Sequence, residues 1–166
     1  MLVTKKIKWH MGHRVPNHKS KCCSNHGHTY FCEVTLESND VVKEQGVSDE
    51  GMIMDFGDIK KILNEEVYDV LDHASMFYEK DPLIDALRQD EMTRLIEVPF
   101  IPTAENISKW IYDKIKPKLD DVYGIGLILK SVQVWETPTS TAVYTSDDEI
   151  NHKKIDPSQR RLDYES

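Results

Sequence analysis

Between Cys22 and His28 the chain gathers two cysteines and two histidines, in the run KCCSNHGHTY. Thiols and imidazoles bind zinc and related ions, and a thiolate can also act as base or nucleophile. Residues two apart in an extended strand project to one side, so His26 and His28 present their rings together. A catalytic zinc site uses three protein ligands and keeps one position open. His13, at the end of the preceding extended segment, is the candidate third ligand, whereas His10, His18 and His152 have no comparable placement. Cys22 has three readings. Either it or Cys23 is a ligand of a closed structural site, or it is a free thiol whose thiolate form a nearby cation favours, or it is an idle, partly buried thiol. Cys32, beside Val34 and Leu36, reads as core.

Two further places could carry chemistry. In LDH (Leu71–His73), Asp72 can orient and charge-stabilise the neighbouring imidazole for proton transfer, or His73 can simply face the end of a helix. Glu136, in VWET, sits near the end of a β-branched, apolar strand. A carboxylate there faces water or receives a ligand's donors, and alternation alone leaves both open.

The rest of the chain must position these groups. Its 166 residues fit one domain, and 39% hydrophobic with 30% charged residues describes a modest core under a soluble surface. No stretch approaches the roughly 18 apolar residues that a membrane span requires. MLVTKKIKWH lacks the apolar stretch of a secretory signal. Three cysteines make no disulfide framework, so a reducing cytoplasm is the expected location.

The net charge of −8 argues against nucleic acid or an anionic membrane as the main partner. Its distribution says more. Residues 1–32 carry Lys5, Lys6, Lys8, Arg14, Lys19 and Lys21 and no acid, so +6 stands there against −14 on the remainder. This is either a plain basic edge or a local attraction for an anionic substrate. On the second reading Arg14, His18, Lys19 and Lys21 would flank that anion.

Residues 3–13 predict a strand and 14–25 a polar loop. A second strand is expected from His26 to about Leu36. Ile59, Ile62, Leu63, Val67 and Val70 recur at helical spacing behind Asp55 as N-cap. In 78–101, Asp81-Pro82 suggests a helix start and RLIEVPF a short extended piece. Thr103 can cap a second helix whose face is Ile107, Trp110, Ile111 and Ile115, with Pro117 expected to stop it. A long strand in GIGLILKSVQVWET, a turn and a short strand AVYT complete a domain at 1–145. Residues 146–166 read as a polar tail. The prediction is an α+β fold with a four-stranded antiparallel sheet and two main helices. Its two bare edges call for pairing between subunits.

The pieces WHMGHRV, CCSNHGHTY, GMIMDFGDIK, LDH, PTAEN and WETPTSTAVY, spread over residues 7–145, together resemble the 6-pyruvoyltetrahydropterin and 6-carboxytetrahydropterin synthase family. The resemblance implies a tunnelling fold in which subunits pair edges into a barrel and assemble as homohexamers. It implies zinc held by His13, His26 and His28, with Cys22 as the catalytic thiol. Asp72 and His73 would form the proton-relay pair, and Glu136 would anchor the pterin ring. Thr103 and Glu105 would line the pterin pocket.

Within the family, Cys22-x3-His26 resembles the C-x3-H-G-H spacing of members making the 6-carboxy product. The 6-pyruvoyl type resembles C-x5-H-G-H, which would place Ser20 at the thiol position. Folate-pathway variants carry glutamate where Asn25 stands. The implied reaction converts 7,8-dihydroneopterin triphosphate to 6-carboxy-5,6,7,8-tetrahydropterin, releasing acetaldehyde and triphosphate, on the way to 7-deazaguanines such as queuosine. The alternatives are a 6-pyruvoyl synthase, a hydrolase or epimerase of related pterins, and a non-catalytic zinc-binding oligomeric module.

Overall fold

The computed structural model describes residues 1–91 and 93–154. Strand β1 (Leu2–His13) and strand β2 (His26–Glu37) form a long antiparallel pair, with Trp9 opposite Tyr30 and His13 opposite His26. Odd residues of β1 and even residues of β2 face inward. Trp9, Met11 and His13 meet Tyr30, Cys32, Val34 and Leu36 there, while Thr4, Lys6, Lys8 and His10 stay exposed on the other face.

Helix α1 (Phe56–Leu63) begins at Asp55, whose carboxylate accepts the Gly57 N–H. It runs on through a π-helical turn (Asn64–Tyr68) and a last short turn, α2 (Asp69–Leu71). Ile59, Leu63, Val67 and Leu71 are buried along it. Arg94 closes the far end by donating to the carbonyls of Asp69 and Asp72, the place where a cation satisfies unpaired carbonyls.

The sheet has six strands in the order β4-β3-β1-β2-β5-β6, not the four expected, and it is mixed. The added strands are β3 (Ala74–Tyr78) and β4 (Leu95–Val98), and both ladders, β3 on β1 and β4 on β3, are parallel. Between them lies α3 (Ile84–Arg88), just after the Asp81-Pro82 start. β3 escaped the sequence because ASMFY has no alternation: Ala74, Met76 and Phe77 are all buried. That is how a parallel strand covered on both faces reads.

Helix α4 (Ala104–Tyr123) does not stop at Pro117 but continues to Gly124, whose φ of 64° ends it. Pro117 is exposed, so the Asp113 carbonyl it leaves without an N–H faces water. The buried row Ile107, Ile111, Ile115 and Leu119 carries the helix across. Each such side chain contributes about 1.5–3 kcal/mol on burial, against about 3 kcal/mol for an interior proline.

Strands β5 (Ile128–Thr137) and β6 (Ser140–Thr145) complete the sheet. The expected polar tail opens as a helix, α5 (Ser146–Lys154), and its residues 155–166 lie outside the described ones. Thr145 and Asp148 cap it reciprocally: Asp148 Oδ2 accepts the Thr145 N–H and Thr145 Oγ1 accepts the Asp148 N–H. Among the described residues no helix is long and apolar enough to cross a membrane.

One ion pair ties the segment after β3 to the end of β1. Arg14 Nε lies 3.2 Å from Asp81 Oδ2, with the carboxylate fully buried and the Arg14 side chain 13% exposed. Asp81 also accepts the Leu83 N–H. Asp81→Ala would strand a nearly buried guanidinium, so it should cost about 3–5 kcal/mol, read as a lower denaturation midpoint in urea. A loss below about 1 kcal/mol would mean that Arg14 turns freely to water.

Candidate active site

Antiparallel register puts His13 directly across from His26, and the two-residue strand period puts His28 on the same face. Ring centroids are 4.6 Å apart for His13–His26, 4.9 Å for His26–His28 and 5.3 Å for His13–His28. One ligand nitrogen from each lies within 4.8 Å of the others. Gly27 between them must be small, because a Cβ there would stand 3.1 Å from the Met11 carbonyl oxygen.

Backbone carbonyls set the ring tautomers. His13 Nδ1 is 2.7 Å from the Pro102 oxygen and His26 Nδ1 is 2.8 Å from the Ser24 oxygen. A carbonyl only accepts, so both Nδ1 atoms carry the proton. Burial pushes His13 and His28 below the ordinary imidazole pKa, more than the Glu136 carboxylate lifts them. With Nδ1 protonated, the neutral His13 ring presents a bare Nε2 lone pair, and the Nε2 atoms of His13 and His28 are both buried without a partner. His13 Nε2 stands 3.4 Å from Glu136 Oε1. A lone pair facing a carboxylate oxygen at that distance is unfavourable until a cation comes between or beside them. The three rings, two of them held from behind by carbonyls, fit a metal ion with nitrogen preference.

Beside this triad opens a cavity of about 230 Å³ lined by Val15, His18, Cys22, Thr103, Glu105, Glu136 and the first β6 residues, Ser140 and Thr141. Cys22 sits in a single 3-10 turn (Lys21–Cys23), and its carbonyl accepts the Val15 N–H at 2.8 Å. PTAEN distributes its tasks: Pro102 holds His13, Thr103 caps α4 through the Asn106 N–H, and Asn106 Nδ2 returns to the Ile101 carbonyl. Glu105 is left facing the cavity. Cys23 is half-buried and free.

Asp72 and His73 are not in that cavity. His73 lines a second one of about 500 Å³ with His28, His10, Thr29, Gly12 and Gly27. The pair itself is tightly made. His73 Nδ1 donates to Asp72 Oδ2 at 2.7 Å, and the His10 N–H donates to Asp72 Oδ1 at 2.9 Å. That backbone bond, ahead of His73, lowers the Asp72 carboxyl pKa. His73 takes φ of 59°, a left-handed conformation uncommon outside glycine though less so for histidine than for most residues, and such strain gathers at functional positions.

The basic loop divides. Arg14 is committed to Asp81, Lys19 and Lys21 are exposed, and only His18 lines the first cavity. Sequence reasoning passed over Tyr30, which is fully buried with an unpartnered hydroxyl and stands edge-on to His13 and His28 at 5.8 and 5.7 Å. Its signal was present: it continues the inward row of His26 and His28.

The family model described as 6-pyruvoyl tetrahydropterin synthase matches residues 2–147. The chain belongs to that family. Its curated relatives include the 6-carboxy-5,6,7,8-tetrahydropterin synthase of Haemophilus influenzae, 32% identical over 145 residues that cover 86% of this chain and 96% of the relative. They also include the 6-pyruvoyl tetrahydrobiopterin synthase of Dictyostelium discoideum, 32% identical over 127 residues, covering 76% and 75%. Among solved structures, an uncharacterized protein of Wolinella succinogenes superposes with a TM-score of 0.73 at 22% identity, covering 88% of this chain and 98% of that one. The 6-pyruvoyl tetrahydropterin synthase of Caenorhabditis elegans gives 0.59 at 21%, covering 87% and 94%. At those identities the likeness is one of fold, and it is the tunnelling fold of the pterin synthases. Family membership carries a pterin synthase reading for the site described here.

Proposed function

We propose that the protein is a zinc-dependent enzyme of the 6-carboxytetrahydropterin synthase type, converting 7,8-dihydroneopterin triphosphate and one water to 6-carboxy-5,6,7,8-tetrahydropterin, acetaldehyde and triphosphate. The observation that carries this reading is the bare Nε2 of His13 facing Glu136, at a cavity that also holds Cys22.

Zinc bound by His13, His26 and His28 would supply Lewis acidity toward the substrate's side-chain hydroxyls. Glu136 accepts paired N–H bonds from the pterin ring, a pattern one carboxylate suits. Thr103 and Glu105 line the ring's pocket. Cys22 Sγ, as thiolate, removes a carbon-bound proton. His73, its Nδ1–H held by Asp72, keeps Nε2 for the proton transfers of the opposite side. The histidine triad stands between these groups: Glu136 of the first cavity touches His13, and His28 lines the second. Lys19 and Lys21 provide the positive field for the triphosphate, His18 lines the cavity beside them, and Arg14 fixes the loop's base through Asp81.

The choice between products rests on the thiol's reach, since relatives of both kinds are 32% identical. Three residues separate Cys22 from His26, and both ends of that span are pinned: the Cys22 carbonyl by the Val15 N–H and the Ser24 carbonyl by His26. Two more residues would add up to about 3.3 Å of reach each and bring a thiol to another side-chain carbon. The short span supports the 6-carboxy product, and with it a place in 7-deazaguanine synthesis, in the cytoplasm. β4 and β6, the exposed edges of the sheet, support assembly by edge pairing, as a homohexamer.

The test is product identity. Purified protein given dihydroneopterin triphosphate should release acetaldehyde, measured by an NADH-coupled reductase, with 6-carboxytetrahydropterin seen by mass spectrometry. A 6-pyruvoyl product without acetaldehyde would overturn the product assignment. No turnover by zinc-loaded protein would favour the binding module.

A further inference from the structure

The loop between β1 and β2 holds one histidine ring in a fixed orientation. Ser20 turns both of its donors to His18 Nδ1, its backbone N–H at 3.2 Å and its Oγ at 2.9 Å. A backbone N–H only donates, so this Nδ1 is bare and the ring's single proton sits on Nε2. A proton on Nδ1 would set two N–H groups against each other and break the backbone bond. Ser20 is also the N-cap of the turn that carries Cys22 (Lys21–Cys23). A serine hydroxyl at that position ordinarily accepts one of the first N–H groups, yet here it makes no such bond. The Ser20 carbonyl holds the turn, accepting the Cys23 N–H at 3.1 Å, and the hydroxyl is left for the histidine.

The same loop ties His18 to Cys22. The Val15 carbonyl accepts the His18 N–H at 3.0 Å, and the Val15 N–H donates to the Cys22 carbonyl at 2.8 Å. His18 and Cys22 both line the first cavity, with Glu136, Thr103 and Glu105 on its other walls, and Ser20 does not line it. The Nδ1 edge of the ring is turned to Ser20, so the edge left for the cavity carries the Nε2–H. This is a donor without charge, set in place relative to the thiol before any ligand arrives. Cys22 is half-buried, whereas His18, Lys19 and Lys21 are exposed. The donor therefore stands at the cavity's rim, between the thiol inside and the lysines outside.

We propose that the His18 Nε2–H donates to the first phosphate of the substrate's triphosphate, with Ser20 as the residue that positions it. This rests on the reading of the first cavity as the site of a pterin triphosphate. A substrate side chain that runs from Glu136 past Cys22 leaves the cavity at this rim, and its first phosphate is the group that meets His18 there. Lys19 and Lys21 act on the same triphosphate as exposed charges, which salt screens. His18 acts through one short hydrogen bond from an uncharged group, which salt leaves largely intact. A donor already held by two bonds loses little freedom when the ligand seats, and that is what makes it effective.

Inorganic triphosphate is the probe, its binding to the zinc-loaded protein read by calorimetry at low and high salt. His18→Ala should weaken binding about tenfold, the low end for a hydrogen bond to a charged group, and by the same factor at both salt concentrations. His18→Gln, which keeps an uncharged N–H near the Nε2 position, should recover most of that loss. Ser20→Ala should cost about threefold, the scale of a neutral hydrogen bond, and Ser20→Thr should restore it. In turnover the same factors should appear in KM rather than kcat. Alkylation of Cys22 by iodoacetamide, located by peptide mass, should keep its rate in His18→Ala, because backbone bonds hold the turn. An altered alkylation rate would make His18 a support of the loop and overturn the proposal. So would an unchanged affinity in His18→Ala, a loss that fades at high salt, or a wild type that does not bind the probe. If the wild type binds triphosphate but makes no pterin product, the functional reading falls, and the contrast between His18→Ala and His18→Gln still decides the phosphate donor.

Discussion

Cys22→Ala should retain its full complement of zinc and its assembly state while losing about 10²–10⁴ in turnover, the range that one positioned proton-transfer group contributes. The structure separates the thiol's task from the metal's. Cys22 lines the cavity with Glu136 and is not among the three nitrogens that converge, and its loop is held by backbone bonds that alanine keeps. Cys23→Ala, by contrast, should stay within about twofold of the wild-type rate, since Cys23 does not line the cavity that holds Cys22 and Glu136. Metal analysis beside steady-state kinetics reads both. Loss of zinc from Cys22→Ala would make the cysteine a ligand and the site a closed structural one.

The second large effect is expected at the triad. His28→Ala should abolish zinc binding, because two histidines remain where a catalytic site needs three protein ligands. In the wild type, free zinc at about 1,000 times its dissociation constant should add about 4 kcal/mol of stability, seen as a rise in melting temperature. That rise should be absent in His28→Ala, and a variant that still bound stoichiometric zinc would refute the ligand set.

The metal-free protein should also show the triad's proton linkage. Burial lowers the His13 and His28 pKa values in the fold from the ordinary 6.5. Below pH 6.5 the unfolded chain therefore binds more protons than the native one. The stability these two groups contribute is present above pH 6.5 and is lost as pH falls through their lowered folded values. Zinc should oppose that loss, since it competes with protons for the same nitrogens. Urea unfolding of apo and zinc-loaded protein between pH 5 and 8 would measure both terms. Apo stability flat across that range would mean the rings are not held neutral by the fold.

How much of this was open to a reader of the sequence depends on the range over which each feature is decided. His26 and His28 share a face because a strand repeats every two residues, and nothing beyond the triplet is needed for that. Asp55 and Thr103 are legible as caps because a short oxygen ahead of an apolar helical stripe satisfies the first N–H groups. The inward row of β2 likewise runs from the histidines to Leu36 without a break.

Features decided by distant contacts were not legible. Pro117 is a local signal to stop, overridden because its ring points to water and Leu119 still has a core to enter. β3 has no period to read, since its identity comes from being covered on both sides by β1, β4 and the core. Arg14 looks like an anion ligand among its neighbours until Asp81 arrives beside it. The separation of Cys22 from Asp72–His73 into two cavities follows from which face of β1 each partner meets, and the bond from His10 to Asp72 spans 62 residues. The sequence by itself determined the residues with chemical potential and the local geometry of each. Only the tertiary structure decided which of them face one another, because pairing across a sheet and between loops is fixed by packing of the whole chain rather than by any period within it.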